Sequence, residues 1–204
     1  MRNQEVGEEV TTKQANREIV IGSEVRKDLR MEEMGKNKDN ILPIQNNKKL
    51  NVFGWASTNP CYGGTGSGSL SDAYPTVSLL QGLENAGYSL NSELSNFYQK
   101  YRGDRPEVGM FAQDWTLPEP AAATYPKQMM TNAKKFSDTA LVVITRVGGE
   151  GADLPTDMSK VTYKDNSKDY KDFPAGSHYL QLSKSEKNML DMVCGNFDNV
   201  VIVN

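Results

Sequence analysis

The sequence predicts an α/β fold, a mostly parallel sheet sandwiched by helices, and two observations carry that reading. Three short apolar runs rich in β-branched residues, at 50–55, 141–146 and 199–203, are separated by segments of helical periodicity. Strands that alternate with helices pair in parallel, and an apolar run without alternation suits a strand covered on both faces. The first two runs then lead into glycine clusters, residues 63–68 and 148–151, the second of which frames a carboxylate, Glu150. Glycine permits tight, positive-φ backbone at the carboxyl end of a strand, which is where open α/β sheets bind ligands.

The elements follow in order. Residues 11–36 place Ile19, Val25, Leu29 and Met34 at approximate helical spacing, which predicts a helix packed outside the sheet; residues 1–40 form an N-terminal helical arm to a domain running from 41 to 204. Pro43 and the polar turn at 45–49 lead into the first strand. Residues 76–86 put Val77, Leu80, Leu83 and Ala86 on one helical face and stop at Gly87, a C-cap. Asn91 opens a second helix, reaching Tyr101, whose packing stripe is Leu94, Phe97, Tyr98 and Tyr101. Prolines recur from 106 to 126 without a period, which predicts an extended excursion over the surface, and a short helix at 128–136 then feeds the second strand. Ser183 and Glu186 have capping-box spacing ahead of Met189, Leu190, Val193 and Cys194, and Gly195 closes that helix before the last strand.

Composition narrows the function. The chain has 204 residues, enough for one α/β domain with a core. Its formal charge of -3 and pI near 5.3, with scattered lysines, argue against a nucleic-acid partner. No apolar run approaches the roughly 20 residues of a membrane span, and the polar first residues lack the apolar core of a secretory signal, so the expectation is a cytoplasmic protein without a membrane partner. The polar excess lies in the first forty residues and in 153–177, compositions of loosely ordered chain. Cys61 and Cys194 lack metal-ligand spacing and His178 is the only imidazole, so neither a metal nor a cofactor is expected. Cys194 reads as a small buried hydrophobe, and Cys61, beside the first glycine cluster, as a thiol lining a pocket.

The glycine run Gly63-Gly64-Thr65-Gly66-Ser67-Gly68 is not a phosphate-binding loop, because no lysine follows it. Set after a strand, ahead of the Tyr74 to Leu83 segment, and read with Val143-Ile144-Thr145-Arg146-Val147-Gly148-Gly149-Glu150-Gly151, it resembles the α/β sandwich domain of glycoside hydrolase family 3, the β-glucosidase family. The similarity extends, with gaps, from about residue 41 to 204.

That resemblance implies O-glycosyl hydrolysis of β-glucosides or short oligosaccharides by a retaining mechanism. Glu150 matches the family's general acid/base in a Gly-Glu-Gly-x-Asp segment, and Asp153 matches the aspartate. Gly64, Thr65, Gly66, Ser67, Arg146 and Asp153 would bind the sugar, with hydroxyls also at Ser69, and Arg146, the nearest cation, could instead hold the acid/base loop or stand as a strand-end surface charge. Where family members carry an arginine after the aspartate, this chain has Leu154 and Pro155. A glycosidic oxygen leaves poorly until protonated, and a carboxylic acid of raised pKa supplies the proton at neutral pH. Retention also needs a nucleophilic carboxylate about 5–5.5 Å away. The family's nucleophile lies in a Ser-Asp-Trp motif on a barrel domain; Gln113-Asp114-Trp115 matches that motif only in its dipeptide and lies in the proline-rich excursion. The expectation is a partial domain whose nucleophile resides on a barrel outside this chain, with a non-catalytic sugar-binding or interaction domain as the alternative.

Overall fold

The computed structural model describes residues 41–42, 44, 48–59, 66–69, 73, 75–101, 108–111, 113–161 and 172–204. Its strands are β1 (Lys49–Phe53), β2 (Ser89–Leu90), β3 (Thr139–Val143) and β4 (Asn199–Val203), and its α-helices are α1 (Leu79–Asn85), α2 (Ser92–Tyr101), α3 (Lys127–Phe136) and α4 (Lys184–Asn196). The strands form one sheet in the order β2-β1-β3-β4, with every pairing parallel. The expected α/β class and parallel sheet are therefore observed. The helical arm expected over residues 11–36 lies outside the described residues.

β3 is buried at every position, which accounts for its unbroken apolar run at the centre of the sheet. β1 buries everything after Lys49, and Phe53 packs its ring against Phe197, with centroids 5.4 Å apart. A polar exception, Asn51, is fully buried within β1. Its Nδ2 donates to the carbonyls of Ala133 and Ser137 at 3.0 Å each, and its Oδ1 accepts from Asn91 Nδ2 at 2.8 Å. One amide thus ties the end of α3 and the start of α2 to the central sheet, and its burial is tolerated because its polar atoms are paired.

Element boundaries differ from expectation for local reasons. The first strand ends at Phe53, not Trp55, because Gly54 at φ +95° turns the chain into a 3₁₀ turn over Trp55–Ser57. β3 starts two residues early, at Thr139. The two-residue β2 was not among the expected strands; it is too short to carry a period. Ser78 caps α1 by accepting the Gln81 N–H at 3.1 Å, so the helix begins at Leu79 and leaves Val77 outside it and exposed. Tyr101, placed in the α2 packing stripe, is exposed as well, whereas Leu94 and Tyr98 are buried. Gly87 takes φ +87° just past α1, as a C-cap does.

Two larger corrections concern the segments without period. Residues 114–120 are extended as expected, but they are buried instead of running over the surface. Trp115 packs edge-on to Tyr179 at 5.0 Å, and Leu117 is fully buried. In the described parts of the 153–177 insertion, Met158 is buried and its N–H donates to the Ser177 carbonyl at 2.7 Å, while Asp172 accepts the Ser185 N–H in the first turn of α4 at 2.9 Å. Cys194 is half-buried, not fully so, and Cys61 lies outside the described residues.

The topology fixes where a ligand would sit. From β1 the chain moves to β2 on one side, then crosses back to β3 on the other. Order therefore reverses between β1 and β3, and at such a switch point the crevice beyond the strands' carboxyl ends is open to ligands.

Candidate active site

The carboxyl ends of β1 and β3 are brought together by Gly54. A Cβ there would lie 2.2 Å from the Val143 carbonyl oxygen, and φ is +95°, so only glycine allows the approach. Beyond β1 the chain enters the glycine loop, of which Gly66–Gly68 forms a 3₁₀ turn; Gly64 and Thr65 lie outside the described residues. Beyond β3, Ile144 continues the pairing by donating to the Val203 carbonyl at 2.9 Å. A tight turn follows, closed by the antiparallel bridge between Gly149 and Ala152, with Gly151 at φ +75°.

Glu150 stands at the tip of that turn, exposed. Its Oε2 accepts two hydrogen bonds from Ser67, from the backbone N–H and from the hydroxyl, each 2.8 Å long. Gly66 makes room for them, since a Cβ at that position would lie 2.7 Å from the Glu150 Cβ. The loop after β1 and the turn after β3 thus meet at the switch point, through Ser67 and Glu150. The backbone and then the hydroxyl bond of Ser67 hold the carboxyl below the usual glutamate range. The raised pKa expected of a proton donor depends on burial beside bound sugar; in this chain the group is open to solvent.

Arg146 serves neither the Glu150 loop nor the open surface. Its guanidinium pairs bidentately with Glu186, Nη1 to Oε1 at 2.7 Å and Nη2 to Oε2 at 2.8 Å, and its remaining N–H groups donate to the carbonyls of Tyr179, Thr145 and Gln181 at 2.8–2.9 Å. A guanidinium has five N–H donors, and all are used within the protein. Glu186 accepts the Ser183 N–H as well, so one carboxylate completes the α4 capping box and anchors the end of β3. Asp153 is exposed just past the Glu150 turn, and Ser69 is exposed beside Gly68. Asp114 is buried and accepts the Thr116 N–H at 3.1 Å, a local turn-former.

A second glutamate near the carboxyl end of β1 escaped the sequence reading. Glu119 is buried; its Oε2 accepts the Trp55 N–H at 2.9 Å and its Oε1 the hydroxyls of Tyr125 and, at 3.4 Å, Tyr98. Burial pushes its pKa up to about 8 against the lowering effect of those hydrogen bonds. Nothing periodic marks it in sequence, and the flanking prolines Pro118 and Pro120 argue for a surface loop. Among the described residues no cluster of His, Cys, Asp and Glu could hold a metal ion.

A parallel sheet with a glycine loop and a hydrogen-bonded carboxylate at its switch point defines a domain of the α/β class, in which ligands bind at that edge. The family model described as the glycosyl hydrolase family 3 C-terminal domain matches residues 36–204, and the chain belongs to that family. It is 31% identical over 175 residues to β-glucosidase A of Butyrivibrio fibrisolvens, covering 82% of this chain and 20% of that enzyme. It superposes on a crystal structure of a β-glucosidase from Paenibacillus barengoltzii with a TM-score of 0.59 at 25% identity, over 82% of this chain and 16% of that one. β-Glucosidase 3B from Thermotoga neapolitana, solved in complex with glucose, shares the fold with a TM-score of 0.55 at 24% identity, over 79% of this chain and 20% of that one. The chain thus spans about a fifth of the length of the relatives it matches. No helix among the described residues is long and apolar enough to cross a membrane.

Proposed function

We propose that this chain supplies the general acid/base of a retaining β-glucosidase, with Glu150 as that group and the nucleophilic carboxylate contributed by a barrel domain. One observation carries the reading: Glu150 meets Ser67 of the glycine loop at the sheet's switch point. Ser67 and Gly66 are the positioning residues; Ser67 orients the carboxylate, and Gly66 gives it space. Asp153, exposed just past the turn, borders the sugar, while Arg146 acts through the fold by holding β3 to α4.

The chemistry needs a change of environment. As an exposed carboxylate bonded to Ser67, Glu150 is ionised at neutral pH and cannot donate a proton. A barrel closing over the turn, with a sugar between, would replace water by low-dielectric surroundings and place a second carboxylate nearby, and both effects raise an acid's pKa. The proton then passes to the glycosidic oxygen as the nucleophile attacks the anomeric carbon, and Glu150, now a base, takes a proton from water in the second step.

Mixing the chain with a family 3 barrel domain tests this. Hydrolysis of β-glucosides is expected from the mixture and not from either part. Full activity of the isolated chain would refute the division of labour. The second reading, a sugar-binding domain without catalysis, draws on the same exposed, ionised carboxylate, which accepts hydrogen bonds from sugar hydroxyls as it stands. Saturable glucose binding that Glu150→Gln weakens, without hydrolysis in the mixture, would favour it.

A further inference from the structure

The turn that carries Glu150 has little inside it to hold its direction. Gly148, Gly149 and Gly151 surround the carboxylate without side chains, and the bond that closes the turn, from the Ala152 N–H to the Gly149 carbonyl, is 3.4 Å long. The placement of Glu150 is therefore decided at the two ends of the turn, and one residue stands at both. Tyr179 is fully buried; its hydroxyl accepts the Val147 N–H at 3.1 Å before the glycines, and its own N–H donates to the Pro155 carbonyl at 3.0 Å after them. The tyrosine is itself held from several directions. Trp115 packs edge-on to the ring at 5.0 Å, the Arg146 guanidinium lies 5.8 Å from the ring centroid, and the Tyr179 carbonyl accepts from Arg146 Nε at 2.9 Å. Arg146 is fixed in turn by Glu186 of α4. A ring enclosed in this way transmits the position of the core to whatever its polar atoms hold.

We infer that Tyr179 is the positioning residue of the Glu150 turn, clamping its entry and its exit to the core so that the carboxylate meets Ser67. The catalytic consequence rests on the proposed role of Glu150, whereas the clamp is a property of this chain alone. Val147 is the last residue before the glycines and is buried, so without the tyrosine hydroxyl its N–H would have to turn toward water and carry Gly148 and Gly149 with it. Glu150 Oε2 reaches Ser67 through two bonds of 2.8 Å, and a displacement of about 1 Å at the tip breaks both. Proton transfer has the same sensitivity, since a misplacement of about 1 Å costs on the order of a hundredfold in rate. Tyr179 itself exchanges no proton with substrate; it acts through Val147 and Pro155.

The experiment compares the full chain with Tyr179→Phe, which keeps the ring against Trp115 and Arg146 and removes only the hydroxyl. Tyr88→Phe is the control, because it removes a hydroxyl bonded to the Ile44 carbonyl at the amino end of the strands, away from the turn. The readouts are a carboxyl-carbon NMR titration of Glu150 and amide hydrogen exchange. In Tyr179→Phe, Glu150 is expected to titrate higher, toward the ordinary glutamate range, as its Ser67 bonds are lost, and the Val147 amide to exchange at least about tenfold faster. Tyr88→Phe is expected to leave both where they are. In the mixture with a barrel domain, Tyr179→Phe is expected to lower kcat for methyl β-glucoside about ten- to hundredfold, and less for activated aryl glucosides, with KM little changed. A shifted Glu150 titration with kcat unaffected in an active mixture would leave the clamp standing and refute Glu150 as acid. A titration that stays in place in Tyr179→Phe, or moves equally in Tyr88→Phe, would overturn the clamp. So would a Val147 amide that exchanges in the wild type as fast as that of Gly151, a result that needs no variant to fold.

Discussion

Two glutamates near the carboxyl end of the sheet have their acidities moved in opposite directions. Glu119, beneath the edge, is buried among Trp55, Tyr98 and Tyr125 and is pushed up to about 8. Glu150, on the rim, is open to solvent and is held below the ordinary range by Ser67. The difference shows that a strongly raised pKa does not by itself mark a proton donor for substrate. Glu119 has the acidity such a donor needs, yet every contact around it is internal, and its work is to satisfy a backbone N–H and two phenols under the site. Glu150 has the access and lacks the acidity, which makes covering by a partner surface a requirement of its proposed role.

The comparison breaks first at the backbone that separates the two regions. Gly54→Ala would drive a Cβ into the Val143 carbonyl at a positive φ, parting β1 from β3 just before Trp55. A loss of about 3 kcal/mol or more is expected in urea denaturation. Next comes Glu119→Ala, which leaves the Trp55 N–H and one hydroxyl of the Tyr98–Tyr125 pair without an acceptor, at a cost of about 3 kcal/mol.

The pH dependence of stability sharpens the contrast. With the pKa of Glu119 raised to about 8, the folded state keeps a proton that the unfolded state releases from about pH 4.5 upward. Its contribution is therefore complete below pH 4.5 and declines as pH rises to about 8, by a few kcal/mol as an order of magnitude. Glu119→Gln should abolish that decline, and a slope that persists in the variant would show that Glu119 is not its source. Glu150 runs the other way: its folded pKa is lowered, so its contribution is present above the unfolded pKa and lost as pH falls through the folded value. The smallest effect is Ser67→Ala, which removes one of two donors to Oε2. A carboxyl-carbon NMR titration is expected to show Glu150 moving part of the way back up, with little change in stability.

What was legible in sequence follows the same division. β4 lies where its apolar run stands, the α4 capping box is formed by Ser183 and Glu186, and Gly87 ends α1, because each is a local pattern with a local cause. The meeting of Ser67 and Glu150 was also foreseeable, since two glycine clusters after parallel strands share one edge. The buried course of 114–120 was not, because it depends on Trp115 reaching Tyr179 and Glu119 reaching Trp55 across 64 residues. For the same reason Arg146 read as a loop anchor or a surface charge: its partner Glu186 is 40 residues away, and nothing near Arg146 announces it.

The claim that Glu150 is the acid/base is tested most directly by Glu150→Ala in the mixture of this chain with a family 3 barrel domain, assayed with β-glucosides of graded leaving-group acidity. Loss of turnover is expected to be severe, on the order of a hundredfold or more, for poor leaving groups, and much smaller for activated aryl glucosides, whose departure needs little protonation. Azide, which attacks the anomeric carbon without general-base help, is expected to restore the second step. A loss that does not depend on the leaving group and does not respond to azide would contradict the assignment, as would undiminished hydrolysis of the poorest leaving groups.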